Sequence, residues 1–222
     1  VLIPKKPDTR RLRAEQTRQR ILDAAMKLFF RHGYAATTIE SIAREAKVSV
    51  QTVYFSFGNK QQILRDLIDV HAAGEDGSGL MPARPQVAEA LSVKDPRQQL
   101  RLLARITRTV NERVAPLLEV LRNAAAAYGE AADLWQTNKV QRRLVQRQFV
   151  DVLADRELLP EGLGNERALD ICYALLGPEL YHLLASEREW TQEQWEDWVY
   201  EGLCQNLISG GTPARHVDDA VP

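Results

Sequence analysis

Between Ala14 and Phe57 the apolar residues fall into three helical stripes, the last two short and all three close together. This crowding is what most restricts the fold. In the first stripe Ile21, Ala25, Leu28 and Phe29 recur at i, i+4, i+7 and i+8, one face of a helix that ends at Gly33. Thr37 is placed as the N-cap of the second helix, with Glu40 three residues on as its capping box, and Ile39, Ile42, Ala43 and Ala46 share one face. Ser49 caps a third helix, Val50–Phe57, whose inward residues are Val53 and Phe57. Gly58 breaks it, and Asn59 caps a fourth helix with Gln62 as its partner. Helices of roughly twenty, nine and eight residues, with a tight turn between the second and third, match a helix-turn-helix.

The third helix is unusual on its outer face. With Val53 and Phe57 inward, Val50, Gln51, Tyr54 and Phe55 point the other way, and none of them is charged. A solvated helix face normally carries charge. An amide, a phenol and two apolar groups instead suit base edges and thymine methyls in a major groove. The Tyr54 hydroxyl can donate to a phosphate oxygen. Lys60 opens the fourth helix, where the helix dipole disfavours a cation unless an anion is bound there too. The hydroxyl of Thr38 can serve a phosphate in the same way at the start of the second helix.

Charge agrees with that reading once the chain is divided. The net charge of −1 hides a first 62 residues with a net of +7 and a remainder with −8. A basic N-terminal quarter on an acidic body points to a polyanion-binding module joined to something with another task. No apolar run approaches the ~20 residues of a membrane span. The N-terminus has no secretory signal, and Cys172 and Cys204 lack CxxC spacing, so a reducing cytoplasm is the expected location.

Downstream the pattern stays helical, about nine helices in all, with no alternating β-run. Residues 74–96 read as a connection, because three Gly and three Pro fall within them. Helices are expected at Arg97–Arg113, Pro116–Tyr128, from about Glu130 to Asp155, at Arg167–Ser186 and at Thr191–Ile208. The fold class is therefore all-α. It comprises a basic arm (1–13), a three-helix helix-turn-helix domain (14–62), a larger helical domain (63–210) and a flexible tail (211–222).

The stretch GYAATTIESIAREAKVSVQTVYFSFGNKQQIL resembles the N-terminal domain of the TetR (tetracycline-repressor-like) transcription regulators. The matching residues are Gly33-Tyr34, Thr37-Thr38, Ile42-Ala43, Val48-Ser49, Thr52, Tyr54, Phe57, Lys60 and Leu64. Lys47 stands at the turn position usually held by Gly, and Ser56 at a frequent His. The resemblance implies a palindromic double-stranded DNA operator as partner. It places phosphate contacts at Thr38, Tyr54 and Lys60 and base contacts at Val50, Gln51, Thr52 and Phe55, with Ser49 beside them. It also implies that the larger domain binds a small-molecule effector and forms a homodimer, and that the chain is not an enzyme and needs no cofactor. Trp135, Asn138, Arg142, Phe149 and Tyr173 are the candidates for the effector site. Leu176, Leu180, Tyr181, Leu184, Trp195, Trp198 and Val199 are the candidates for the dimer interface, since the last two helices are too apolar for one pair in water.

Enzyme motifs are missing. There is no HExxH, GxSxG or P-loop, and GSG at 77–79 and GLG at 162–164 each lack a third glycine. Glu179 and His182 form a single Glu-x-x-His, where a di-iron bundle needs two such pairs plus further carboxylates. No metal site is expected.

Overall fold

Thr9 begins the first helix of the computed structural model, which describes residues 9–74 and 85–208. Helix α1 runs Thr9–Ala36, α2 Ile39–Ala46, α3 Val50–Phe57 and α4 Lys60–Ala73. Then follow α5 Pro85–Ser92, α6 Pro96–Ala125, α7 Gly129–Asp155, α8 Asn165–Leu175, α9 Pro178–Tyr181 and α10 Gln192–Leu207. A π-turn, His182–Glu187, extends α9. No strand occurs among the described residues, as the all-α expectation requires.

The chain divides into two compact units. The first comprises residues 1–71 and 116–136, the second residues 72–115 and 137–222. The first compact unit thus reaches beyond residue 62. It keeps most of α4 and adds the end of α6 and the start of α7. Val1–Asp8 and the tail 209–222 lie outside the described residues, with the arm cations Lys5 and Lys6 among them; residues 10–13 of the expected arm are helical.

In the first unit Ile21, Leu22, Ala25 and Phe29 of α1 are buried with Ile42 and Ala43 of α2, Val53 and Phe57 of α3, and Ile63, Leu64 and Leu67 of α4. The stripes read from spacing are thus the core. The helical path breaks at Gly33, whose φ of 74° and ψ of 173° suit only a residue without a Cβ. That break turns Thr37 inward, where its hydroxyl donates to the Gly33 carbonyl at 2.8 Å. The cap of α2 consequently falls on Thr38, not Thr37, and Ser41, not Glu40, completes the capping box. Lys47 adopts the left-handed conformation (φ 55°, ψ 47°) that joins α2 to α3, and Ser49 caps α3 as expected.

The second unit encloses one apolar cluster. It holds Val87 and Ala90 of α5, Leu100 and Leu103 of α6, Val145, Phe149 and Leu153 of α7, Leu169 and Cys172 of α8, and Trp195, Val199 and Leu203 of α10. Both cysteines are buried and unpaired, and burial pushes the Cys172 thiol up to about 12.

Three proline readings needed correction. Pro85 begins a real helix, because its missing N–H costs nothing in a first turn and Val87 and Ala90 are buried. Pro116 interrupts nothing: α6 runs through it as one helix, with Val114, Leu117, Leu118 and Leu121 buried around it. Each such side chain contributes about 1.5–3 kcal/mol, which outweighs the ~3 kcal/mol cost of an interior proline. Pro178 does the opposite and splits the expected helix 167–186. It holds Gly177 extended (φ −65°, ψ 139°), so α8 stops and α9 restarts.

Candidate nucleic-acid interface

Helix α3 presents two unlike faces. Val53 and Phe57 are buried, whereas Phe55 is 94% exposed and Tyr54 50% exposed. Gln51 is exposed, and Val50 and Thr52 are half-buried. The proposed reading face is therefore open, and the two aromatics on it are not held by the core. The Ser49 hydroxyl accepts from the Thr52 N–H at 3.1 Å and lies 2.7 Å from the Thr52 hydroxyl. Thr52 thus shares its hydroxyl with the cap, while Gln51 keeps its amide toward solvent.

At the start of α2, Thr38 is exposed, and its hydroxyl oxygen accepts from the Ser41 N–H at 3.1 Å. The Glu40 carboxyl beside it lies below its ordinary range, first through its own backbone N–H and then through the Thr38 hydroxyl. At the start of α4 Asn59 accepts from the Gln62 N–H at 2.7 Å, as its expected cap role requires, and the Lys60 ammonium donates to the carbonyls of Tyr34 (2.7 Å) and Thr37 (2.9 Å). The Gln62 side chain goes to Asp66 and does not return to the cap.

Residues 21–67 match the family model described as bacterial regulatory proteins, tetR family. Over that stretch the chain is similar to tetR-family regulators. An uncharacterized HTH-type transcriptional regulator, YdeS of Bacillus subtilis, is 28% identical over 201 residues, which is 90% of this chain and 92% of that protein. Other curated HTH-type transcriptional regulators, 42% to 54% identical, match over only 50 to 57 residues, and the chain spans no more than 30% of their length. The fold is that of NalD, the secondary repressor of the MexAB-OprM multidrug efflux pump in Pseudomonas aeruginosa (TM-score 0.70, 24% identity, 88% of this chain and 98% of that one). It is also that of SmeT in its complex with triclosan (TM-score 0.67, 19% identity, 93% and 99%). Among the described residues, no helix is long and apolar enough to cross a membrane.

The effector candidates are shared between the two units. Trp135 belongs to the first unit, and Asn138, Arg142, Phe149 and Tyr173 to the second. Arg142 pairs with Glu179 and donates to the Tyr173 hydroxyl, both at 3.2 Å, and Phe149 is core. Among the described residues Asn138 Oδ1, Trp195 Nε1 and Gln146 Oε1, the last on a residue not among the candidates, are buried without a hydrogen-bond partner. Asn138 and Gln146 stand at i and i+8 on α7, a spacing that the sequence already contained.

Four of the seven dimer candidates are spent inside the chain. Leu176, Tyr181, Trp195 and Val199 are buried in the second unit's own core, and the Tyr181 and Trp195 rings meet edge-on at 5.1 Å. Leu180 and Leu184 are half-buried, and Trp198 is exposed, with Leu183 beside Leu184 also exposed. The expected excess of apolar surface is therefore smaller than the sequence suggested, and it lies on α9, its π-turn and one side of α10. No group of three His, Cys, Asp or Glu that could hold a metal ion occurs among the described residues; His182 lies 3.9 Å from Glu187.

Proposed function

We propose that the protein is a ligand-responsive transcriptional repressor, without catalytic activity, that acts in the cytoplasm. It binds a palindromic double-stranded operator as a homodimer and leaves it when a small-molecule effector binds. The observation that carries this reading is the outer face of α3. Phe55 stands exposed on a charge-free surface across the helix from buried Val53 and Phe57, with half-exposed Tyr54 at its edge. Water is a poor solvent for that face and a major groove a good one.

Gln51 and Phe55 read base edges, Val50 and Thr52 flank them, and Thr38, Ser49 and Tyr54 hold the phosphates. Leu180, Leu184 and Trp198 contribute to the dimer contact, which spaces two α3 helices by about 34 Å for successive major grooves. Asn138, Gln146 and Trp195 give the second unit polar atoms for an effector to satisfy, since a buried unpaired polar group costs about 1–3 kcal/mol. The effector acts by binding more tightly to a conformation in which the two α3 helices no longer fit the operator. The NalD repressor and SmeT in its triclosan complex share this fold, which supports the same reading.

The test is a gel shift with duplex DNA at graded salt. Binding that weakens steeply as salt rises supports the reading. An absence of any shift at low salt refutes it.

A further inference from the structure

Lys60 sits where a phosphate ligand is expected, but its side chain is committed elsewhere. Its ammonium has three N–H groups. It donates to the Tyr34 carbonyl at 2.7 Å and to the Thr37 carbonyl at 2.9 Å, and lies 4.0 Å above the Tyr34 ring and 5.9 Å from that of Tyr128. Burial lowers its pKa, with Glu130 acting against that shift. The two carbonyls belong to the short corner between the break at Gly33 and the cap at Thr38. That corner launches α2, and the left-handed turn at Lys47 ties α3 to α2.

A second grip meets the same corner. The Tyr34 hydroxyl donates to Glu130 Oε1 at 3.1 Å, and Gln61 Nε2 donates to the Glu130 carbonyl at 2.6 Å. Tyr34 is buried, and its phenol is raised above its ordinary range by burial and then by Glu130. Its ring stacks on Phe29 at 5.7 Å and meets Tyr128 edge-on at 5.6 Å. Glu130 opens α7, whose later turns carry Asn138 and Gln146.

We propose that Lys60 acts in DNA binding as a positioning residue and not as a phosphate ligand. With Tyr34 and Glu130 it forms a relay that fixes the α1–α2 corner, and hence α3, against the first turn of α7. The proposal rests on the DNA-binding reading above.

The experiment uses full-length Lys60→Met, Tyr34→Phe and Glu130→Ala, with the duplex that wild-type protein selects from a random-sequence pool. Affinity is measured across a salt series, well below the melting temperature, where a loss of stability alone does not move it. A lysine bound to phosphate contributes about 0.9 to the slope of log affinity on log salt. The relay predicts that each variant loses about three- to tenfold in affinity. The salt slope stays at the wild-type value, and the Lys60→Met/Tyr34→Phe double variant loses less than the product of the two. A slope flattened by about 0.9 in Lys60→Met overturns the proposal. So does wild-type affinity in Tyr34→Phe, which keeps the ring and both carbonyls and carries the test alone should Lys60→Met fail to fold. A wild-type protein that selects no duplex strikes the DNA-binding reading itself, a result distinct from wild-type binding that the variants leave unchanged.

Discussion

The Arg18 guanidinium lies 4.4 Å above the ring of Phe57 and also pairs with Asp66. One cation on α1 therefore clamps the inner end of α3 and the middle of α4. Replacing Arg18 with Met removes a cation–π contact worth about 0.5–1 kcal/mol and leaves the mostly buried Asp66 carboxylate without that partner. The expected loss is about 1–3 kcal/mol in a urea unfolding titration. A change below about 0.5 kcal/mol would mean that the clamp contributes no more than an ordinary surface pair.

Phe55 and Phe57 are two residues apart and should respond in opposite ways. Phe55→Ala should leave stability within about 0.5 kcal/mol, because the ring is almost wholly exposed. Its operator affinity should fall by about fivefold to tenfold, the loss of one apolar contact to a thymine methyl. Phe57→Ala should cost about 3–5 kcal/mol of stability, since it opens a cavity in the first unit. Unfolding curves and gel shifts on the same two variants separate the roles.

Lys47 occupies a left-handed conformation at φ 55°. An L-residue pays about 1–2 kcal/mol there, and glycine avoids that cost while losing part of it to greater freedom when unfolded. Lys47→Gly should therefore raise stability by about 0.5–1 kcal/mol, read as a higher urea midpoint at constant slope. A lower midpoint would show that the lysine side chain contributes more than its backbone costs.

Trp198 is exposed on α10 and meets Trp190 edge-on at 6.0 Å. If this face joins two subunits, Trp198→Glu buries a charge in the contact. Sedimentation velocity should show a wild-type dimer and a monomeric variant. A wild-type monomer at the same concentration would remove the homodimer from the proposed function.

Much of the first unit was legible in the sequence because its signals are local. The apolar stripes of α1 to α4 follow helical spacing, and Ser49, Asn59 and Gly58 mark ends through their own chemistry. The cap of α2 was misplaced by one residue because both Thr37 and Thr38 are good caps. What decides between them is the backbone break at Gly33, which turns Thr37 inward. The intrachain contacts of Lys60 were not legible for a different reason. Its partners are carbonyls 26 and 23 residues away in sequence, and backbone carbonyls carry no residue signature.

The second unit was legible in helix content and less so in detail. Pro116 reads as a stop but is overruled by burial on both sides, whereas Pro178 is obeyed because Gly177 offers no side chain to bury. Large apolar residues such as Trp195 and Val199 look alike whether they fill a core or cover a partner. Only packing within the chain tells them apart.

The central claim is that the outer face of α3 reads duplex DNA. The most direct measurement is selection from a random-sequence duplex pool by the wild-type protein and by Gln51→Ala. Wild type should enrich a palindrome with half-sites about one helical turn apart. Gln51→Ala should relax the preference at one or two base pairs in each half-site. Enrichment of no sequence by wild type, or an identical preference in the variant, would contradict the claim.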